Sequence, residues 1–563
     1  MKWRGHGLNS SRVVFLVLLS ILSLCTINTQ PVKPQISEVI YIASNGSVYS
    51  STNVTVPIQR VGDLYVFNGN VIGYSLVVQR DNIVVDGAGH TLQGQGNVGI
   101  DLSYRSNVTI KNVQIGGGYF YGIYLWYSLS NVITGNSIGS NMGGIMIENS
   151  SNNIISANTV TNNENGIMIY FSSNNTLRNN SMDNNYNFLV YGTELSHFVN
   201  DVDVSNTIND KKVYWLINES DRVMEPSIFP DLGCLILVNC QRITVQNLEL
   251  ANNGQGILLA YTTDSTIIEN YIHTNSNGIV LFSSSNNRIS ENSITHNYRG
   301  IQFSKSSKNN AISTNNITNN GEGLYLFESS QNIINENNVT NSQIGIGFRE
   351  SSDNMIYHNN FISNSRQVYD SHMDVSSVTP SVNFWDFSYP VGGNYWSDYA
   401  GSDWKTGANQ DHFGSDGIGD TPYIIYENNE DNYPLMPFGS PPAVLIVSPE
   451  NKTYTVNHVP LTFVVSEPTS WMGYILDGQA NVTIAGNTTL SGLSIGSHQL
   501  VVYAKDIDEK TGTSETIHFT ITQQSEPFPT TWIVAATVMG VLVGATILVY
   551  FVKVKKTSGK VEK

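Results

Sequence analysis

Several side chains in this sequence recur at spacings that chemistry could use. Glu269 and Glu291 lie 22 residues apart, as do Glu328 and Glu350. If each pair sits on neighbouring strands, their Cα atoms are ~4.8 Å apart, near the ~5 to 5.5 Å carboxyl separation of a retaining glycosidase. A solvated face satisfies the same pattern, with Arg349 beside Glu350 as an ion pair. Met146 and Met168 share that spacing, and stacked thioethers suit Cu(I). Packing on an apolar stripe explains them equally well. No His or Cys column accompanies them, and His358, His372 and Met373 form a looser group. Asp403, Asp411, Asp416 and Asp420 lie among glycines, an oxygen-rich set that suits calcium or, more plainly, a series of Asp-Gly turns. The alternating EF-hand template is absent.

These spacings follow one period. Gly122, Gly144 and Gly166, then Gly256, Gly278, Gly300, Gly323 and Gly345, each precede an apolar-x-apolar triplet. Asn136, Asn158 and Asn180, then Asn270, Asn292, Asn315, Asn337 and Asn359, run in phase with them. Such short alternating runs between turn residues read as strands. A leucine-rich repeat has a similar period but needs a Leu-rich consensus and a helical return, whereas the returns here are Asn, Ser and Thr. The sequence therefore predicts an all-β, right-handed parallel β-helix with coils of about 22 residues. Inward Ile and Leu would stack, and each turn Asn would bond to backbone and to the Asn above it.

Alternation within each strand then sorts the side chains. The first and third residues after the glycine point inward and the second and fourth outward. Tyr124, Trp126, Tyr170, Phe282, Tyr325 and Phe327 fall on the outside, with Met146 and Met168. Aromatics where Ser, Thr and Lys belong suggest stacking on successive sugar rings, unless another segment covers them. Polysaccharide or cell-envelope glycan is the expected partner.

Composition narrows the class further. Only 13% of residues are charged and the formal net charge is −17, which excludes the basic stripe that nucleic acid requires. Lys2, Arg4 and Arg12 precede an apolar run from Val13 to Leu24, the form of a signal peptide over residues 1–29. Residues 531–552 read as a transmembrane helix, and the lysine-rich 553–563 as a cytoplasmic tail. The expected location is therefore a single-pass membrane protein with its N-terminal ectodomain outside. Sequons such as Asn107, Asn149, Asn316, Asn338, Asn481 and Asn487 would face outward. Cys234 and Cys240 flank an apparent strand that would hold them ~20 Å apart, so two buried thiols are expected rather than a disulfide.

Between these ends, residues 30–80 read as strands that open the helix and cap it. Coils are expected over 81–375, interrupted at 194–240, where the 90 residues from Gly166 to Gly256, close to four coil lengths, hold either degenerate coils or an excursion. An aromatic, Gly- and Asp-rich block at 376–440 reads as the C-terminal cap, and 441–524 as an immunoglobulin-like β-sandwich.

The entry Asp81-Asn82-Ile83-Val84-Val85-Asp86-Gly87-Ala88-Gly89, the segment from Ser205 to Tyr214, and the Gly393-Asn394-Tyr395-Trp396-Ser397-Asp398-Tyr399 to Asp416-Gly417-Ile418-Gly419-Asp420-Thr421-Pro422-Tyr423 block carry a resemblance. Over about Val39 to Pro437 the chain resembles the NosD-like family, named after a periplasmic copper-binding accessory protein. Its wider class comprises carbohydrate-binding proteins and sugar hydrolases on β-helices. The C-terminal module and anchor resemble archaeal cell-surface proteins. The resemblance implies the β-helix and leaves three roles open: a non-catalytic glycan-binding surface protein, a polysaccharide hydrolase or lyase, and a copper accessory protein.

Overall fold

A computed structural model describes residues 38–436, 441–466, 469–506, 509–523 and 538–550. The expected signal peptide and cytoplasmic tail lie outside them. Two compact units are present, one of residues up to 333 with 337–354 and 364–381, the other of 334–336, 355–363 and the residues from 382 on.

In the first unit each coil supplies one longer strand and two short ones, as in Gly143–Glu148, Ile154–Ser156 and Thr159–Thr161. Successive longer strands pair in parallel, with Ile145 opposite Ile167 and Met146 opposite Met168. The inward isoleucines, among them Ile123, Ile145, Ile147, Ile167 and Ile169, are fully buried. The predicted right-handed parallel β-helix is thus the observed fold. The recurring glycine has a steric cause: a Cβ on Gly278 would stand 2.5 Å from the Gly300 carbonyl oxygen, and one on Gly300 equally close to that of Gly323.

Asparagines line all three turns of the coil, not the one turn visible in the sequence. Asn270, Asn292 and Asn315 form one ladder, Asn287, Asn310 and Asn332 a second, and Asn275, Asn297 and Asn320 a third. Each side chain accepts from the backbone N–H of the preceding rung, as Asn292 does from Asn270 at 3.0 Å, and so satisfies a buried donor. A hydroxyl ladder runs beside them through Thr262 and Ser284, with Cys240 on its first rung donating to the Leu216 carbonyl. Cys234 is buried as well, and both thiols are free, as expected.

Residues 194–240 first complete a coil and then reverse the helix. Asp201–Val202 and Thr207–Ile208 complete a coil by pairing in parallel with Thr176–Arg178 and Ser181–Asp183. Asn209 and Asp210, at φ 45° and 63°, then make a tight turn. Positive φ at both central positions is the hairpin geometry that Asn and Asp tolerate. Lys211–Ile217 returns antiparallel to Thr207–Ile208 and pairs in parallel with Leu232–Val238. The fifteen-stranded sheet therefore holds short strands of one helix, then the longer strands of a second running the opposite way. The interior changes face at the same point. Cys234, Ile236 and Val238 join the first helix's core, whereas Leu235 and Leu237, pointing oppositely, are buried inside the second. Reversing both direction and face preserves the winding sense.

In the second unit, Asn360–Ile362 pairs in parallel with Tyr395–Trp396. Asn394 serves as a further rung above Asn359 at 3.1 Å. Trp396 stacks between Phe361 and Tyr423, at 4.6 and 4.4 Å. Within this unit the aromatic block thus packs onto the strand Asn360–Ile362. Farther on, Val444–Ser448, His458–Val465 and Thr488–Ser491 form one sheet, and Trp471–Leu476, Gly496–Lys505 and Ile517–Ile521 belong to another. Val459, Leu461, Leu500, Val502 and Phe519 belong to one buried cluster drawn from both. Residues 538–550 are helical, with Val541, Leu542 and Leu548 exposed. Among the described residues no helix is long and apolar enough to cross a membrane; the ends of the expected span lie outside them.

Candidate functional site

Because the helix reverses, the outward aromatics do not form one stripe. They occupy two walls, each the outer face of a longer-strand sheet. On the first wall Trp126, Glu148, Tyr170 and Tyr191 follow one another in register, flanked by Tyr124, Met146, Met168 and Leu189. On the second, Ser304, Phe327 and Arg349 lie in register beside Gln302, Tyr325 and Gly347.

The first wall carries two aromatic clusters. Tyr104 and Tyr127 stack with centroids 5.8 Å apart and planes 5° apart, and both meet Trp126, at 4.9 and 5.2 Å. Tyr104 and Tyr127 are 56% and 54% exposed, an unusual state for paired aromatic rings on a wall with apolar neighbours. Two coils farther on, ~10 Å along the axis, Tyr191 meets Tyr170 at 5.9 Å and Phe171 at 5.3 Å. Between the clusters the Tyr124 hydroxyl donates to Glu148 at 2.7 Å. Burial pushes the Tyr121 phenol up to about 12 and raises Tyr124, Tyr170 and Tyr191 as well. All four remain neutral hydroxyls at ordinary pH.

The walls meet in a corner. Gly254 N–H donates to the Phe188 carbonyl and Gln255 to that of Val190, both at 2.9 Å, tying the first wall's last strand to the second helix. At that joint Phe198 packs on Phe282 at 4.9 Å, and Phe282 leads in register through Ser304 and Phe327 to Arg349. Arg299 lies 3.9 Å over the Tyr325 ring and 2.7 Å from Glu322. Lys305 pairs with Glu328 at 2.6 Å, and Arg349 covers Phe327 at 5.3 Å.

Of the aromatics proposed from sequence, Tyr124, Trp126 and Tyr170 line the first wall and Tyr325 and Phe327 the second. Phe282 does not contribute: it is 3% exposed and packs against Phe198 at 4.9 Å, within the joint. Tyr104, Tyr127, Phe171, Tyr191 and Arg349 were missed. Tyr104, Tyr127 and Phe171 sit at turns with φ 60°, 49° and 51°, where the reading of strand alternation does not reach. Their signal in sequence was an aromatic just after each strand end, as in Trp126-Tyr127 and Tyr170-Phe171.

The carboxylate columns sit at turns rather than in a cleft. Glu269, Glu291, Glu328 and Glu350 all have positive φ. Glu328 is engaged by Lys305, and Glu291 lies 3.9 Å from Arg288. The ion pair suggested between Arg349 and Glu350 is not formed, since among the described residues Arg349 has no carboxylate at ion-pair distance. Met146 and Met168 are adjacent but 2% and 4% exposed, with the Met168 methyl and the Tyr121 ring over Gly143. A copper site needs further soft or imidazole ligands, and this pair has none; the residues do not fit that metal. His358 bonds the Val391 carbonyl and His372 lies 2.9 Å from Asp370. Three of the cap aspartates hold backbone. Asp403 accepts from Asp416 and Gly417, Asp416 from Ile418, and Asp420 from Trp404 and Lys405; Asp411 lies beside His412 at 2.7 Å. Among the described residues no group of three His, Cys, Asp or Glu is placed to hold a metal.

Comparison with known proteins follows the same division. Residues 41–209 match the family model described as right handed beta helix region, and residues 200–401 the model described as periplasmic copper-binding protein (NosD). The two meet at the hairpin. No curated protein matches the sequence. Among solved structures, fibronectin(III)-like modules of Clostridium thermocellum CbhA share 15% identity over 19% of this chain, with a TM-score of 0.14. The chain spans 63% of that protein's length. A double mutant of the periplasmic alginate epimerase AlgG shares 15% identity over 61% of this chain and 82% of its own, with a TM-score of 0.26. An enzymatically active domain of a tailspike protein from bacteriophage CBA120 shares 14% identity, covering 77% of this chain and 67% of its own, at 0.24.

Proposed function

We propose that this chain is a NosD-like β-helix protein of the cell surface that binds glycan along its first wall and performs no chemistry on it. The observation that carries this reading is the exposed Tyr104–Tyr127 stack beside Trp126, with exposed Tyr191 packed on the largely covered Tyr170 about two coils farther along the same wall. Sugar rings offer apolar faces that stack on aromatic rings, and their hydroxyls accept from neutral phenols. A coil rise of ~4.8 Å gives roughly one pyranose per coil, so a chain lying along the axis would meet a cluster at every second ring. Rungs fixed by asparagine ladders pre-organise those platforms, which lowers the ordering cost of binding.

The location belongs to the same reading. An ectodomain outside, the immunoglobulin-like module near the membrane, and the exposed apolar helix at 538–550 as part of a single-pass anchor fit a surface protein. The carboxylates at turn positions favour a binding role over a hydrolase or lyase.

The test is retention of the purified full-length chain on immobilised polysaccharides. Trp126→Ala should weaken retention roughly tenfold, the effect of losing a central aromatic anchor. Phe282→Leu should leave it unchanged. Unaltered retention in Trp126→Ala and Tyr170→Ala would remove the basis for glycan binding, and release of new reducing ends or unsaturated uronides would make the protein an enzyme.

A further inference from the structure

The cations of the second wall are not equivalent. Arg299 is matched to Glu322 and Lys305 to Glu328. Arg349, one rung beyond Phe327 in the same column, has no carboxylate at ion-pair distance among the described residues. Its guanidinium is held over the Phe327 ring, and its Nε–H is buried without a hydrogen-bond partner. A buried donor of that kind is costly unless an acceptor arrives. Arg349 also stands in the column that begins at the joint, where Phe198 of the first helix packs on Phe282 and the register runs on through Ser304 and Phe327. The aromatic band of the first wall thus runs into a fixed, unmatched cation.

We infer that the glycan on this band is acidic, a uronic-acid polymer whose carboxylate docks on the Arg349 guanidinium while its rings lie on the first-wall aromatics. The inference rests on the glycan reading above and names its substrate class. A guanidinium presents parallel N–H donors in a planar fork that matches a carboxylate, which favours a sugar acid over a neutral hydroxyl. Glu328 and Glu148 are the acidic neighbours to be weighed. Lys305 neutralises the first, and the second already accepts from Tyr124. The chain's net charge of −17 opposes an anionic polymer only at long range, since screening sets in beyond ~8 Å at physiological salt. Contact at Arg349 decides.

The experiment compares immobilised polygalacturonate, polyglucuronate and polymannuronate with their carboxyl-reduced counterparts, using the full-length chain. At least one acidic polymer should be retained more strongly than its reduced form. Arg349→Gln should lower retention on that polymer about tenfold and leave the reduced form unchanged. Arg349→Lys, which keeps charge but loses the fork, should fall between. Trp126→Ala should weaken both forms alike. If Trp126→Ala weakens binding while Arg349→Gln affects acidic and reduced polymers equally, or neither, the acidic-sugar inference is wrong and the glycan reading stands. Retention on dextran sulfate equal to that on the uronate would also overturn it, by showing anion binding without carboxylate geometry. No effect of Trp126→Ala on any polymer removes both.

Discussion

Single side chains in this protein do two separable jobs, and the sequence showed one of them well. Outward Trp126 and Tyr170 were legible because strand alternation fixes which residues leave the core. Tyr127 and Phe171 were not, because each lies one residue past its strand, at a turn with positive φ that alternation does not describe. Phe282 was legible as outward yet is buried, since its cover comes from Phe198 in the previous helix, which no local pattern encodes. A different residue makes the cap sensitive to pH. Asp431 accepts from the Asn394 and Tyr433 N–H groups and from the Trp396 indole, yet burial pushes its carboxyl up to about 7. Its unfolded value is ~3.9, so the fold favours the neutral acid. That contribution is complete below pH ~4 and is lost as pH rises through about 7. The cap should therefore melt at lower temperature at pH 8 than at pH 5, followed by tryptophan fluorescence. Asp431→Asn, at some cost in absolute stability, should flatten the slope; an unchanged slope would point to another group.

At the scale of elements, the coil is held as much by amides as by isoleucine. Asn292 accepts from Asn270 and donates to the Ile267 carbonyl and to Asn315. Truncation strands at least two buried polar groups, each worth ~1–3 kcal/mol. Asn292→Ala should therefore cost about 3 kcal/mol in guanidinium unfolding, and the exposed Asn316→Ala less than ~0.5 kcal/mol. Equal effects would mean the ladder is not the source. The sequence showed one such ladder, although the second also precedes a strand in each coil, as Asn287 and Asn310 do, and the third is broken only at Ser342. The runs of Asn, Ser and Thr around those turns mask their register in the sequence. The hairpin at Asn209 and Asp210 offers a second test. Asp210→Val, forcing a β-branched residue to φ 63°, should destabilise by ~1–2 kcal/mol, whereas Asp210→Gly should be tolerated. The unfolding midpoint distinguishes them.

Across the whole first unit, the repeat established the architecture but concealed the reversal. A period counts residues between like positions and is blind to strand direction, so two opposed helices give the same interval as one. The interruption was visible; its meaning depended on the pairing of Lys211–Ile217 with strands on both sides, a non-local fact. Stacked coils contribute nearly independently to stability. Deleting residues 300–322, one full coil, should thus leave a cooperatively folded chain by circular dichroism while weakening retention on the acidic polymer. Loss of the folded state would contradict that independence.

The hairpin joint also gives the protein a way to vary. Each helix can gain or lose whole coils without disturbing the winding of the other, and every coil gained or lost between Tyr170 and Arg349 moves Arg349 relative to Trp126 and Tyr170 in steps of ~4.8 Å. The corner then works as a ruler with fixed graduations. Relatives differing by one coil on either side of Asn209 and Asp210 would select different spacings of acid groups along a polymer while keeping the same residues in contact with it.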